Sequence, residues 1–128
     1  MPRGYPDYWD PQRARTNIYQ KTITTSKSTP SGSPKETTIT LEKGVITRAR
    51  IVFPYGCVGL LYVQIFHGTD QILPYSSGYL RGDGDRFRFD NFNYPLLTTP
   101  YEVIIKTWND DDTYDHSVDI LLEVSLID

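Results

Sequence analysis

The chain has 128 residues, 38% of them hydrophobic, with a formal net charge of −3 and a sequence pI near 5.3. That length suits one domain and leaves no room for two, and an acidic body argues against nucleic acid as its partner. Two alanines, Ala14 and Ala49, stand against ten tyrosines and many Thr, Val and Ile residues, a bias away from helices and towards strands.

The first fifteen residues, "MPRGYPDYWDPQRAR", carry two tyrosines, a tryptophan and three arginines but no apolar run that could pack locally. No continuous apolar segment resembles a secretion signal, and no stretch is long enough to cross a bilayer. Residues 24–34, "TTSKSTPSGSP", have the Ser/Thr/Pro/Gly composition of a linker. Residues 1–33 hold five basic side chains against two acidic ones, or +3, while the rest of the chain holds eight against fourteen, or −6. A basic arm on an acidic body suggests an arm that reaches for a partner. The expected organisation is therefore an extended N-terminal arm and linker over 1–34 and a β-sandwich domain over 35–128.

From Glu36 the apolar residues alternate. "ETTITLE" (36–42) puts Ile39 and Leu41 on one face, and "VITRARIVF" (45–53) puts Val45, Ala49, Ile51 and Phe53 inside with Arg48 and Arg50 outside. "GLLYVQIFH" (59–67) is apolar on both faces, as in a covered central strand. "RFRFD" (86–90) alternates strictly, and "YEVIIKTW" (101–108) aligns Tyr101, Val103 and Ile105. "SVDILLEVSLI" (117–127) repeats Val118, Ile120, Leu122, Val124 and Leu126 at period two, the clearest strand in the chain. Between them fall turn signals such as "EKG", "PYG", "HGTD", "LPYSSG", "RGDGD", "NYP" and "NDDD". Short strands punctuated every eight to twelve residues define an all-β fold, a single antiparallel β-sandwich. A jelly roll is the first choice of topology and another Greek-key sandwich the second.

Chemistry-bearing residues are few. Asp110, Asp112 and Asp115 are the first candidates for a hard cation, since a loop can supply several oxygens. The glycine turn and distal glutamate of a calcium-binding hand are missing, however, and an Asp-rich turn between strands is routine. Asp83, Asp85 and Asp90 form a weaker set, and the Arg-Gly-Asp of "RGDGD" reads as a turn first. No metal or other cofactor is therefore expected. Cys57 has no cysteine to pair with and reads as a small core residue. A Cys–His nucleophile would need Cys57 in contact with His67 or His116 and an orienting third group. No enzyme is expected. Tyr79, Trp108 and Tyr114 near strand ends are candidate stacking platforms for a sugar, although tyrosine and tryptophan also close the ends of sandwiches.

"MPRGYPDYW" (1–9), "ARIVFPYGCVGLLYVQIFHGTDQILP" (49–74) and "YEVIIKTWNDDDTYDHSVDI" (101–120) resemble, in texture and in the order of elements, small structural virion proteins of tailed bacteriophages. That resemblance implies a capsid decoration (cement) protein or a head–tail accessory in the virion, with a jelly-roll body that is often trimeric. Arg3, Tyr5, Tyr8, Trp9, Arg13, Arg15 and Tyr19 are the expected partner-binding residues of the arm. The partner is a major capsid or other virion protein, joined by further copies of the chain in a homo-oligomer, with a trimer favoured. Buried aromatics can anchor a short segment but cannot order thirty residues. Main-chain pairing along "NIYQKTITT" (17–25) would supply the rest, either as a strand added to a partner or within the chain's own sandwich. The alternative readings are a carbohydrate- or receptor-binding module on a virion appendage and a head–tail connector accessory.

Overall fold

β-branched and aromatic residues are frequent in the paired segments, and turns rich in Gly, Pro, Asn and Asp separate them. The computed structural model describes residues 15–127. In chain order the strands are β1 (Thr16–Thr25), β2 (Lys35–Thr40), β3 (Gly44–Val52), β4 (Leu61–His67), β5 (Asp70–Leu73), β6 (Arg86–Phe89), β7 (Tyr94–Leu96), β8 (Glu102–Asn109) and β9 (His116–Leu126). One sheet has the order β1-β9-β3-β6, with β7 also pairing β3, and the other has the order β2-β8-β4-β5. All pairs are antiparallel.

The pairing is nested. β4 pairs β5, β3 pairs β6 and β7, β2 pairs β8, and β1 pairs β9, as if the chain were one long hairpin with its tip between β4 and β5. Rolling that hairpin brings β3 against β9 and β4 against β8, which divides it into two sheets. This is the jelly roll, and the strand order alone establishes it.

The core lies between the sheets. Ile46, Ala49, Ile51, Val118, Ile120, Leu122 and Val124 face Ile39, Leu61, Val63, Ile65, Val103 and Ile105, all of them buried. Phe53 closes one end, edge-on to Phe87 at 5.8 Å. Gly44 opens β3 where a Cβ would strike the Ser125 carbonyl oxygen of β9, so the close crossing requires glycine. Just beyond it the register slips by one residue between Ile46 and Arg48. The bulge reverses the alternation, so Ile46 is buried and Val45, expected inside, is only half-buried.

The domain boundary also moves. Residues 16–25, expected in the arm, pair with β9 along their whole length, from Thr16 opposite Ser125 to Thr25 opposite His116. Ile23 enters the core at 2% exposure, and the buried Thr25 hydroxyl bonds that of Thr107 across the sandwich at 2.7 Å. The physical reason is satisfaction of β9: without β1 one side of that eleven-residue strand would have no ladder.

Candidate functional site

Of the expected arm residues, Arg3, Tyr5, Tyr8, Trp9 and Arg13 lie outside the described residues. Arg15 sits immediately before β1, and its carbonyl accepts the Leu126 N–H. Tyr19 is engaged in its own sandwich. It packs against the core, and its hydroxyl donates to Glu42 Oε1 at 2.7 Å, an oxygen that also accepts from Asn17 Nδ2 at 2.7 Å. Burial, then the Glu42 contact, raises the Tyr19 pKa, while the Tyr19 and Asn17 donors lower that of Glu42.

Among the described residues no strand pairs with the outer side of β1. Antiparallel hydrogen bonds alternate in direction, and the Arg15–Leu126 bond fixes the phase. The odd residues of β1 therefore bond β9, while Thr16, Ile18, Gln20, Thr22 and Thr24 turn their main-chain groups outward. Lys35 Nζ reaches over from β2 to the Thr24 carbonyl at 2.6 Å. Ile18, 64% exposed, stands on the outer face of the same strand.

At the far end of β1 the loops of residues 26–34, 53–60, 74–85 and 110–115 gather and are cross-linked by main-chain bonds. Ser28 N donates to Asp111 O, Asn109 N to Thr29 O, Asp110 N to Leu60 O and Gly59 N to Gly82 O. The Asn109 side chain, fully buried, donates to Thr25 O and Tyr114 O. Asp111 is turned into this end: its carboxylate takes the Thr113 and Tyr114 N–H groups and meets His116 Nε2 at 2.8 Å. Those contacts, the Thr113 N–H first and the His116 side chain second, hold its pKa below the usual carboxylate value.

The cation candidates do not converge. Asp112 accepts from the Thr113 hydroxyl and Asp115 from Lys27 N, while Asp110 contributes a main-chain bond to Leu60. Asp83 accepts Gly56 N, and Asp85 folds back onto Asp83 N. Among the described residues no cluster of three or more His, Cys, Asp or Glu side chains is placed to hold a metal ion.

Sequence reasoning singled out Trp108 and Tyr79 but missed Tyr62, which lies between them on the outer face of the β2-β8-β4-β5 sheet. The Tyr62 ring stacks on Trp108 at 5.1 Å, Tyr79 stands edge-on to both, and the Arg81 guanidinium lies 5.1 Å from the Tyr62 centroid. Trp108 is only 9% exposed, whereas Tyr79 is 48% and Tyr114 67% exposed. The indole is thus occupied by its neighbours and offers little ring surface to a sugar. Tyr62 was missed because "LLYV" reads as continuous core.

The groups considered for nucleophilic chemistry each have other partners. Cys57 is buried, its thiol directed to the Ser117 carbonyl, and burial raises its pKa. His67 bonds the Tyr94 hydroxyl at 2.8 Å and the Pro100 carbonyl at 3.1 Å, and His116 bonds Asp111. A cleft of about 470 Å³ opens beside Asp70, Gln71, Tyr75 and Tyr94. The Gln71 amide is committed to the Pro74 and Gly78 carbonyls.

No protein-family model matches the chain, and no curated protein matches it. Among solved structures it is similar to one described as "The Triple Jelly Roll Fold and Turret Assembly in an Archaeal Virus", at 12% identity over 85% of this chain and 28% of that one, with a TM-score of 0.38. A second, described as "Life in the extremes: atomic structure of Sulfolobus Turreted Icosahedral Virus", is 11% identical over 91% of this chain and 31% of that one, also with a TM-score of 0.38. The chain spans less than a third of either. What the strand order defines is a two-sheet jelly roll with β1 at one sheet edge.

Proposed function

We propose that this chain is a non-enzymatic structural protein of a virion that attaches to a larger protein shell through the residues ahead of Thr16, as a capsid decoration protein does. Jelly rolls also serve lectins and cupins, so topology alone does not choose the role. The observation that carries the reading is that nested pairing is complete between Thr16 and Leu126. Ahead of that pairing in the sequence stand Tyr5, Tyr8 and Trp9 with Arg3 and Arg13. Aromatic side chains and arginine are the residue types most enriched where one protein anchors on another. The resemblance of "MPRGYPDYW" to virion proteins points to a shell as that partner.

Deleting residues 1–14 tests this. The truncated protein is expected to melt within a few degrees of the full chain and to fail to join the particle. Replacing Tyr5, Tyr8 and Trp9 with serine while keeping the arginines separates aromatic burial from charge, because a charge contribution fades with added salt. Normal incorporation of the truncated protein would overturn the proposal. Deletion of residues 1–33 is a different experiment, because it removes β1 and unfolds the roll.

A further inference from the structure

We propose that two copies of this chain pair edge to edge through β1, antiparallel and about a two-fold axis, joining their β1-containing sheets into one continuous sheet. The inference stands apart from the virion role and holds whether or not that role is correct.

The four sheet edges are unequal. β6 is four residues long and carries Arg86 and Arg88, β5 is four residues long and begins with Asp70, and β2 is six residues long and begins Lys35-Glu36. Short length and charge are the usual ways a protein blunts an edge. β1 has neither: it runs for ten residues, "TNIYQKTITT", with Lys21 its one charge and no proline or glycine. Its ladder to β9 has no bulge. Among the described residues no strand covers its outer side.

The same edge sets the register. Lys35 occupies the Thr24 carbonyl, so among the described residues the run left unpaired is Thr16, Ile18, Gln20 and Thr22. Two copies use that run fully when Thr16 lies opposite the partner's Thr22 and Ile18 opposite the partner's Gln20, with Tyr19 against the partner's Tyr19 on the axis. No like charges then oppose one another, because Lys21 faces the partner's Asn17.

A two-fold contact is self-complementary and closes with two copies.

Light scattering and amide hydrogen exchange on the full chain test the proposal. The expected result is a dimer in which the Ile18, Gln20 and Thr22 amides are protected, although none of them bonds β9. Gln20→Pro removes an outward N–H without touching the β9 ladder. It is expected to raise the dimer Kd at least about tenfold, one hydrogen bond being lost from each copy. If Gln20→Pro fails to fold, Ile18→Lys, which leaves every main-chain bond in place, must weaken the dimer instead. A monomer at high concentration or a trimer would overturn the inference. So would a dimer whose Ile18, Gln20 and Thr22 amides exchange as fast as loop amides, or one that Ile18→Lys leaves as tight as the parent.

Discussion

Replacing Ile23 with alanine is expected to destabilise the domain by about 2–3 kcal/mol. Ile23 is 2% exposed and lies opposite Val118 on β9, which is fully buried. Emptying such a site costs about 2–5 kcal/mol through lost transfer energy and residual cavity. The lower half of that range applies because β1 is an edge strand and can move inwards to close part of the gap. For a domain of this size each kcal/mol corresponds to about 3–6 °C, so thermal unfolding followed by circular dichroism should show a fall of about 6–18 °C. Ile18→Ala, on the same strand but 64% exposed, is the control and should change stability by less than about 0.5 kcal/mol. If Ile23→Ala melts with the parent, β1 is not held in the sandwich, and the placement of the domain start at Thr16 is wrong.

Thr25→Val or Thr107→Val alone should each cost about 1–3 kcal/mol, because the remaining buried hydroxyl loses its partner, whereas the double variant should recover most of that loss in a denaturant-based mutant cycle. Thr37 Oγ1 is buried with no hydrogen-bond partner among the described residues, so Thr37→Val, which keeps the shape, should leave the melting temperature unchanged or raise it. Asp111 has a lowered folded-state pKa, so its contribution is complete above the unfolded carboxylate pKa of about 4 and is lost as pH falls through the folded value. The gap in melting temperature between the parent and Asp111→Asn should therefore be widest near neutral pH and close in acid.

The period-two repeats of "SVDILLEVSLI" and "YEVIIKTW" made β9 and β8 legible, because a strand buried on one face must alternate. Other elements failed for identifiable reasons. β1 shows few apolar residues because only Ile23 and Thr25 are buried, with Tyr19 packed at the margin of the core, so its polar middle reads as an arm. β5 and β7 are too short to show a period and read as parts of turns. The bulge after Ile46 broke the alternation of β3, and no local signal announced it. In the candidate site, Asp112 is exposed. The inward turn of Asp111 onto His116 depends on where β9 begins, which spacing alone does not fix. The cluster of Tyr62, Tyr79 and Trp108 joins residues from three separate segments, which are brought together only by the β4–β8 register and the Val63–Leu80 bridge.

The most direct test of the central claim is an image of the assembled particle at a resolution that traces strands. The expected image shows a jelly-roll body on the shell, with the chain ahead of Thr16 leading into contact with a shell protein. A particle that lacks this protein, or one that holds the body by its loops while residues 1–15 touch nothing, would contradict it.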